Sequence, residues 1–362
     1  MSTDNVEAKY SKRAKRWKLI LLGLIALLIV AIIICVNIGT AGISYSEILA
    51  IFGRQIPGIS SLIDPSAIHG NNETIIMNIR LPRVIAGAVV GAGLAVAGVM
   101  YQGVFRNPMA DSYLLGVSAG ASFAYTLAAL TIGTLGLAYL GLGVTQLIAF
   151  VGAVSVVFLV YSIARTGNKV PTTNLLLSGM VVSIFVLALQ TVVELKLGKN
   201  DLMGIIAWTQ GGGLTSITWS SVISVLPFVV VGIIIAYFFT KDLNMLAMGD
   251  DTAQNLGVNS ERVRQILLLL ASLVTAAVVS ISGVIGFVGL IIPHMTRLII
   301  GPDHRILLPT STIVGAIFLI VCDSVARVAT GASELPVGVY TAIAGTPFFI
   351  YLLRRRKTSY SM

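Results

Sequence analysis

Charge is scarce in this chain. Aspartate, glutamate, lysine and arginine make up 11% of its 362 residues, against about 25% in an ordinary soluble domain. A water-soluble globule of this size needs a polar skin, and 24 cationic plus 15 acidic side chains leave most of it bare. Cysteine is nearly absent. Cys35 and Cys322 both fall in apolar runs and read as separate buried thiols, which excludes a disulfide scaffold. Histidine is limited to His69, His294 and His304, with no second ligand at metal-site spacing, so no metal site is expected. Phosphate-binding motifs are missing too. Gly91-Ala92-Gly93 has Val96 where a dinucleotide fingerprint needs its third glycine, and no strand precedes it. Gly198-Lys199 has Val193 in place of the first glycine of a phosphate loop, and Asn200 follows the lysine.

What is present is apolar. A hydrophobic fraction of 56% with 36 glycines describes an all-α polytopic membrane protein. A helix needs about 20 mostly apolar residues to cross ~30 Å of hydrocarbon. About ten such transmembrane helices are expected, near 18–38, 83–104, 113–132, 143–164, 172–194, 219–240, 265–283, 285–300, 306–326 and 337–353. The basic stretch 12–18 runs into the first of them without a small-residue cleavage site, so it reads as an uncleaved span. Residues 1–17 form a basic cytoplasmic tail and 18–356 a single transmembrane domain.

The net charge of +9 suggests nucleic-acid binding until the charges are located. They lie in short clusters between apolar runs. With the N-terminus inside, 18 of the 24 cations fall on the cytoplasmic side, leaving Arg54, Arg80, Arg83, Lys196, Lys199 and Arg327 outside. That split is the positive-inside bias of a protein in the cell membrane with both termini cytoplasmic, and no nucleic-acid partner is expected. The outer loop 37–78 holds an amphipathic piece, 45–52, read as a short helix on the membrane surface, and a polar stretch, 64–73. The basic cluster 354–357 directly follows a span and reads as an anchor near anionic lipid. Gly87, Gly91, Gly93 and Gly98 in the second span suit close approach of helix backbones.

A polytopic bundle of this kind points to transport, and transport needs a power source. An ion-coupled carrier places ionisable groups near the bilayer midplane, where each costs at least ~2.5–3.5 kcal/mol. Glu194 and Asp323 sit instead near outer helix ends, and Asp323 reads as an i,i+4 partner of Arg327. With no midplane carboxylate and no ATP site, the energy has to come from another subunit. A membrane enzyme would need a polar constellation inside the bundle, and none is legible.

Several stretches then fall into a known pattern. They are residues 79–87 (IRLPRVIAG), 103–110 (GVFRNPMA), 115–121 (LGVSAGA), 256–258 (LGV), 283–297 (GVIGFVGLIIPHMTR), 303–305 (DHR) with 307–309 (LLP), 323–327 (DSVAR), 334–338 (ELPVG) and 345–347 (GTP). Together they resemble the permease subunits of FecCD/BtuC-type ABC importers over residues 18–356. The resemblance implies a type II importer. Two copies of the permease, or one copy with a close paralogue, enclose a pathway. Two ATPase subunits, which use ATP and magnesium, bind from the cytoplasm. A soluble binding protein delivers an iron–siderophore complex, haem or cobalamin, of which an iron chelate or haem is favoured on frequency alone. The chain itself is then no enzyme and binds no cofactor.

The same resemblance assigns roles. Arg80, Arg83 and Arg327, at outer helix ends, would face acidic residues of the binding protein, where a guanidinium fork meets carboxylate bidentately. Asp250, Asp251, Thr252, Ala253, Leu256, Gly257 and Val258 would form the coupling helix that docks in the ATPase. The residues fit that role: Asp or Thr can cap a short helix, Gly257 can end it, and Ala253 and Leu256 would share a face. Asn107, Pro108 and Met109, with Thr172 and Thr173, lie in small polar turns where family members close the cytoplasmic gate. His294 and His304 belong to the family pattern and are not expected to ligate metal, and the pathway walls are expected to be smooth and mostly apolar.

Overall fold

The computed structural model describes residues 3–358 except 59, 65–66, 136–140, 168–169 and 331–333. Lys169, one of the cations counted inside, and part of the polar stretch 64–73 therefore lie outside the described residues. The chain is helical, with α1 (Thr3–Asn37), α2 (Tyr45–Arg54) and a three-residue α3 (Asn72–Thr74). A π-helical turn, Ile75–Arg80, joins α3 to α4 (Leu81–Phe105). There follow α5 (Val117–Leu135), α6 (Gly141–Ala164), α7 (Thr172–Glu194), α8 (Lys199–Trp208) and α9 (Trp219–Phe238). Two short helices, α10 (Thr240–Leu246) and α11 (Asp250–Asn255), precede α12 (Ser260–Ser282), α13 (Val288–Ile300), α14 (His304–Val328) and α15 (Val337–Thr358).

Seven of the described helices are long and apolar enough to cross a membrane. Three shorter apolar helices, Val117–Ile132, Val288–Ile300 and Val337–Ile350, fall on the remaining expected spans. α1 runs unbroken from residue 3 through the first expected span. The amphipathic piece 45–52 is helical, as α2. Ser44 Oγ accepts the Glu47 N–H at its start, and Ile48 and Ile51 are buried against the π-helical Ile76 and α1.

The centre of the bundle is α4. Nearly every residue on it is buried, and it packs against α14, α12, α13 and α9. Its small residues explain that position, because lipid tails give apolar helices no hydrophobic reason to associate and packing has to come from close approach. At the α4–α14 crossing, a Cβ on Gly91 would collide with the Gly315 carbonyl. At the α4–α13 crossing, a Cβ on Gly98 would collide with the Gly289 carbonyl. Facing helices α1 and α7 instead expose large apolar side chains, among them Leu19, Ile34, Phe185 and Val181.

Two segments break the helices inside the bundle. Residues 283–287 separate α12 from α13 in non-helical backbone, with Gly283 at φ +73° and Phe287 at φ +70°. A left-handed conformation at a bulky aromatic residue is strained and is held only by its surroundings. Residues 106–116 connect α4 to α5. Arg106 turns the chain at φ +49°, and the backbone then climbs back between the helices, so that Gly116 packs against Val156 and Ser183. α8, which the sequence did not reveal, closes on the same level. Its Trp208 stacks on Tyr125 of α5 at 4.1 Å between ring centroids, and its carbonyl accepts the Val284 N–H at 3.3 Å.

Candidate functional site

The first expected site lies at the end of the bundle where α4 starts and α14 ends. Arg83 Nε donates to both oxygens of Asp323 at 3.1 Å, and its Nη2 lies 3.0 Å from Oδ1. Its Nη1 donates to Glu334 Oε2 at 2.7 Å. Arg327 donates through Nη2 to the Cys35 carbonyl at 2.9 Å and to Ser324 Oγ at 2.8 Å, and through Nη1 to the Ile38 carbonyl at 3.0 Å. Arg80 is held by the carbonyls of Val36, Asn37 and Ala41.

All three arginines are buried, with 4–7% of their surface exposed. In one copy of the chain their donors are engaged by carbonyls at and just beyond the end of α1, by Asp323 and Ser324 of α14 and by Glu334 before α15. The i,i+4 pair of Asp323 and Arg327 forms, at 3.4 Å, but the shorter bonds of Asp323 go to Arg83. Asp323 and Glu334 are the residues that sequence reasoning did not connect to Arg83. Their places in the DSVAR and ELPVG stretches were the available signal.

The second site lies at the opposite end. α11 is a single short helix set off by Gly249 at φ +111° and Gly257 at φ +86°. No side chain caps its N-terminus. The carboxylate expected to cap it is used elsewhere: Asp250 accepts from Arg106 at 3.0 Å and from Arg264 at 2.9 Å, tying α11 to the end of α4 and to α12. Ala253 and Leu256 do not share a face. Ala253 and Val258 are buried against the bundle, while Leu256 is 57% exposed. Asp251, Thr252 and Gly257 are also turned outward. Arg106 and Arg264, the anchors of α11, were not singled out from sequence.

The third set does not come together in one copy of the chain. Asn107 Oδ1 accepts the Met109 N–H at 3.0 Å, making a tight turn at the end of α4, with Asn107 and Met109 exposed and Pro108 half-buried. Thr172 and Thr173 begin α7 elsewhere on this end, beside the Val170 N–H that Glu261 accepts at 2.8 Å. Among the described residues no hydrogen bond joins the two turns.

One further carboxylate overturns an expectation. Asp111 lies in the re-entrant segment, half-buried, and accepts the Ser112 N–H at 2.6 Å. Its Oδ1 is 2.8 Å from the position of a Cβ on Gly289, whose next neighbour is the Leu94 carbonyl at the middle of α4. A carboxylate therefore does reach mid-depth. The sequence hid it, because residues 107–109 read as a cytoplasmic turn and the third expected span starts near 113. A cavity of about 360 Å³ nearby is lined by Tyr113, Ser118, Ser122, Ser183, Gln190 and Thr209, together with the apolar Ala119, Leu187 and Val284.

A bundle of apolar helices with charge clusters at its two ends and helices broken inside the bundle fits a multi-pass membrane protein. Residues 27–355 match the model of the FecCD transport family, and the chain belongs to that family. It is 44% identical, over 79% of its length and 74% of the relative's, to the cobalamin import system permease protein BtuC of Halobacterium salinarum. It is 36% identical to the hemin transport system permease protein HmuU of Yersinia pestis, over 78% of this chain and 83% of that protein. It is 37% identical to the Fe(3+)-citrate import system permease protein YfmD of Bacillus subtilis, over 85% and 90%. Among solved structures, a metal-chelate type ABC transporter in an inward-facing conformation superposes with a TM-score of 0.79 at 29% identity, covering 93% of this chain and 99% of that one. Family and relatives are transport permeases, so the ATPase activity resides in separate subunits.

Proposed function

We propose that the chain is the transmembrane half of an ATP-driven importer that carries an iron–siderophore complex, haem or cobalamin into the cytoplasm. Two copies, or a copy and a close paralogue, enclose the pathway. The chain crosses the membrane ten times, the three shorter apolar helices counting as spans, with both termini cytoplasmic. The division of its cations supports that orientation.

The observation that carries this reading is α11. It is fastened to the bundle on one side by Asp250 and Ala253, and it offers Asp251, Thr252, Leu256 and Gly257 on the other. A short helix so held transmits a push from a docked ATPase into α4 and α12 together. Asn107, Pro108 and Met109 of both copies, with Thr172 and Thr173, form the cytoplasmic gate. At the outer end, Arg80, Arg83 and Arg327 take part in docking the binding protein by fixing the shape of the rim, and Glu334, one-third exposed beside Arg83, meets the partner itself.

Side-by-side uptake of labelled ferric siderophore, haem and cobalamin, by cells carrying the chain with its ATPase and binding protein, tests the assignment. Cobalamin comes first because of the 44% identical cobalamin permease. Accumulation of one of the three that stops when ATP is depleted supports the reading. Accumulation of none of them sinks it.

A further inference from the structure

At the α11 end, a cavity of about 370 Å³ lies between the end of α4, α10, the end of α13 and the start of α14. That volume is at the small end of the range for ligand sites, about 300–1,000 Å³. Its lining includes Gln102, Arg106, Asn107, Arg297, Leu298 and His304. Two side chains in it are left with unfilled hydrogen-bonding capacity.

The first is Arg297. Its Nη1 donates to Gln102 Oε1 at 3.0 Å, and among the described residues it forms no ion pair. Gln102 is spent, since its Nε2 donates to the Leu290 carbonyl at 2.9 Å. A guanidinium has five N–H donors in a flat fork that fits phosphate or carboxylate. Arg106, across the cavity, pairs with Asp250, which also accepts from Arg264, and Arg264 has a second carboxylate in Glu261 at 3.5 Å. Among the described residues Arg297 is thus the lining cation that no carboxylate balances, and it attracts an anion.

The second is His304, 4% exposed. Asn244 Nδ2 donates to Asp303 Oδ1 at 2.9 Å, which fixes which end of that amide is oxygen. Asn244 Oδ1 then accepts from the His304 backbone N–H at 2.9 Å and from Nδ1 at 2.8 Å. Nδ1 thus carries the proton, and Nε2 is left as a bare acceptor, buried and without a partner. A buried acceptor left without a donor is destabilising. A carboxylate could satisfy Arg297 but brings only acceptors to Nε2. A phosphate ester that also carries a hydroxyl satisfies both.

We propose that this cavity binds a hydroxyl-bearing phosphate ester, supplied by the headgroup of an anionic phosphoglycerol lipid. The phosphate sits on Arg297 and Arg106, and a glycerol hydroxyl donates to His304 Nε2. The lipid source follows from the rim. Leu298 lines the cavity and is 61% exposed, and Ile299 beside it is 76% exposed, so an apolar flank leads from the site into the position of the acyl chains. The site does not depend on what the chain transports.

Native mass spectrometry of the full-length protein in detergent tests this, with titrations of phosphatidylglycerol, phosphatidylcholine and soluble glycerol phosphate. Wild type is expected to bind phosphatidylglycerol about tenfold more tightly than phosphatidylcholine, because both bring the phosphate but only the former brings the hydroxyl for His304 Nε2. Arg297→Gln, which removes the phosphate's partner, is expected to weaken both lipids. His304→Asn keeps a donor for Asn244 but deletes Nε2, and is expected to weaken phosphatidylglycerol about tenfold while leaving phosphatidylcholine unchanged. Equal binding of the two lipids by wild type overturns the proposal without recourse to any variant. So does an undiminished preference in His304→Asn, or unchanged affinity for both lipids in Arg297→Gln. Displacement of the lipid by equimolar glycerol phosphate overturns the lipid as occupant.

Discussion

Arg83 and Asp323 stand 240 residues apart in the chain and form a buried, two-pronged ion pair between the start of α4 and the end of α14. Their side chains are 8% and 1% exposed. Removing one partner of a buried pair costs about 3–5 kcal/mol where the other charge is left unpaired. Here Arg83 keeps Glu334 at 2.7 Å and Asp323 keeps Arg327 at 3.4 Å, so the loss is smaller. Asp323→Asn and Arg83→Gln are each expected to lower the thermal midpoint of the detergent-purified protein. The apolar double replacement Arg83→Met with Asp323→Leu is expected to recover part of the loss. Single variants that melt with wild type would show the pair to be idle.

The same burial changes what charge reversal does at Arg327. Its guanidinium is enclosed by the Cys35 and Ile38 carbonyls and Ser324. A glutamate there sets like dipoles and Asp323 against a new carboxylate, so Arg327→Glu is expected to abolish folded protein, read by size-exclusion of a fluorescent fusion. A well-folded Arg327→Glu protein that has lost only binding-protein affinity would return this residue to a direct docking role.

For α11, Asp250→Ala frees Arg106 and Arg264 and unpins the helix. The pairs are partly exposed, so little stability is at stake, about 1 kcal/mol or less each. Uptake is expected to fall at least tenfold while the ATPase still co-purifies. Leu256→Glu, on the outward face, is expected to break co-purification itself. The opposite pattern, lost assembly in Asp250→Ala and normal assembly in Leu256→Glu, would contradict the assignment of faces.

Acid should loosen the outer loop. Glu47 Oε1 accepts the His69 N–H at 2.6 Å and Asn72 Nδ2 at 2.9 Å, and these bonds hold its carboxyl below the ordinary value of 4.5, the His69 amide contributing most. A carboxyl with a depressed folded value stabilises above its unfolded value and loses that contribution as pH falls through the folded one. The His69 amide is accordingly expected to be protected from hydrogen exchange near neutral pH. It should lose protection as pH falls through the carboxyl's lowered value, below 4.5, once intrinsic rates are corrected for pH. Glu47→Gln should show the unprotected behaviour at every pH, and equal protection in the two proteins would refute it.

Close packing at Gly91 makes a fifth point of attack. Gly91→Val places a side chain against the Gly315 backbone, where nothing can retreat without shifting α14. Overpacking of this kind costs about 1–3 kcal/mol or more. A drop in thermal midpoint is expected, and an unchanged midpoint would show that α4 and α14 can separate freely.

The apolar spans, their glycine contacts and the helical character of 45–52 were legible in the sequence, because long hydrophobic runs and small-residue spacing are local signals. The re-entrant 106–116 was not, since a turn that dives back between helices has the same composition as one that stays at the surface. α8 was missed because ten residues with an internal glycine resemble neither a span nor a strong amphipath. The arginines at motif positions were found, but their buried partners were not. Whether Arg83 meets Asp323 or a foreign carboxylate is decided by a crossing of α4 and α14 that no local pattern encodes. The faces of α11 failed similarly, because Asp250 answers to Arg106 and Arg264 rather than to its own helix.

The central claim is that the chain conducts and a separate ATPase drives. The direct measurement is transport in proteoliposomes containing the permease with its ATPase, supplied with the binding protein and labelled substrate. ATP inside the ATPase-facing compartment is expected to drive uptake that vanadate stops and that collapse of proton and sodium gradients leaves intact. Uphill uptake by the permease alone, powered by an ion gradient and indifferent to vanadate, would contradict the account and turn attention to Asp111.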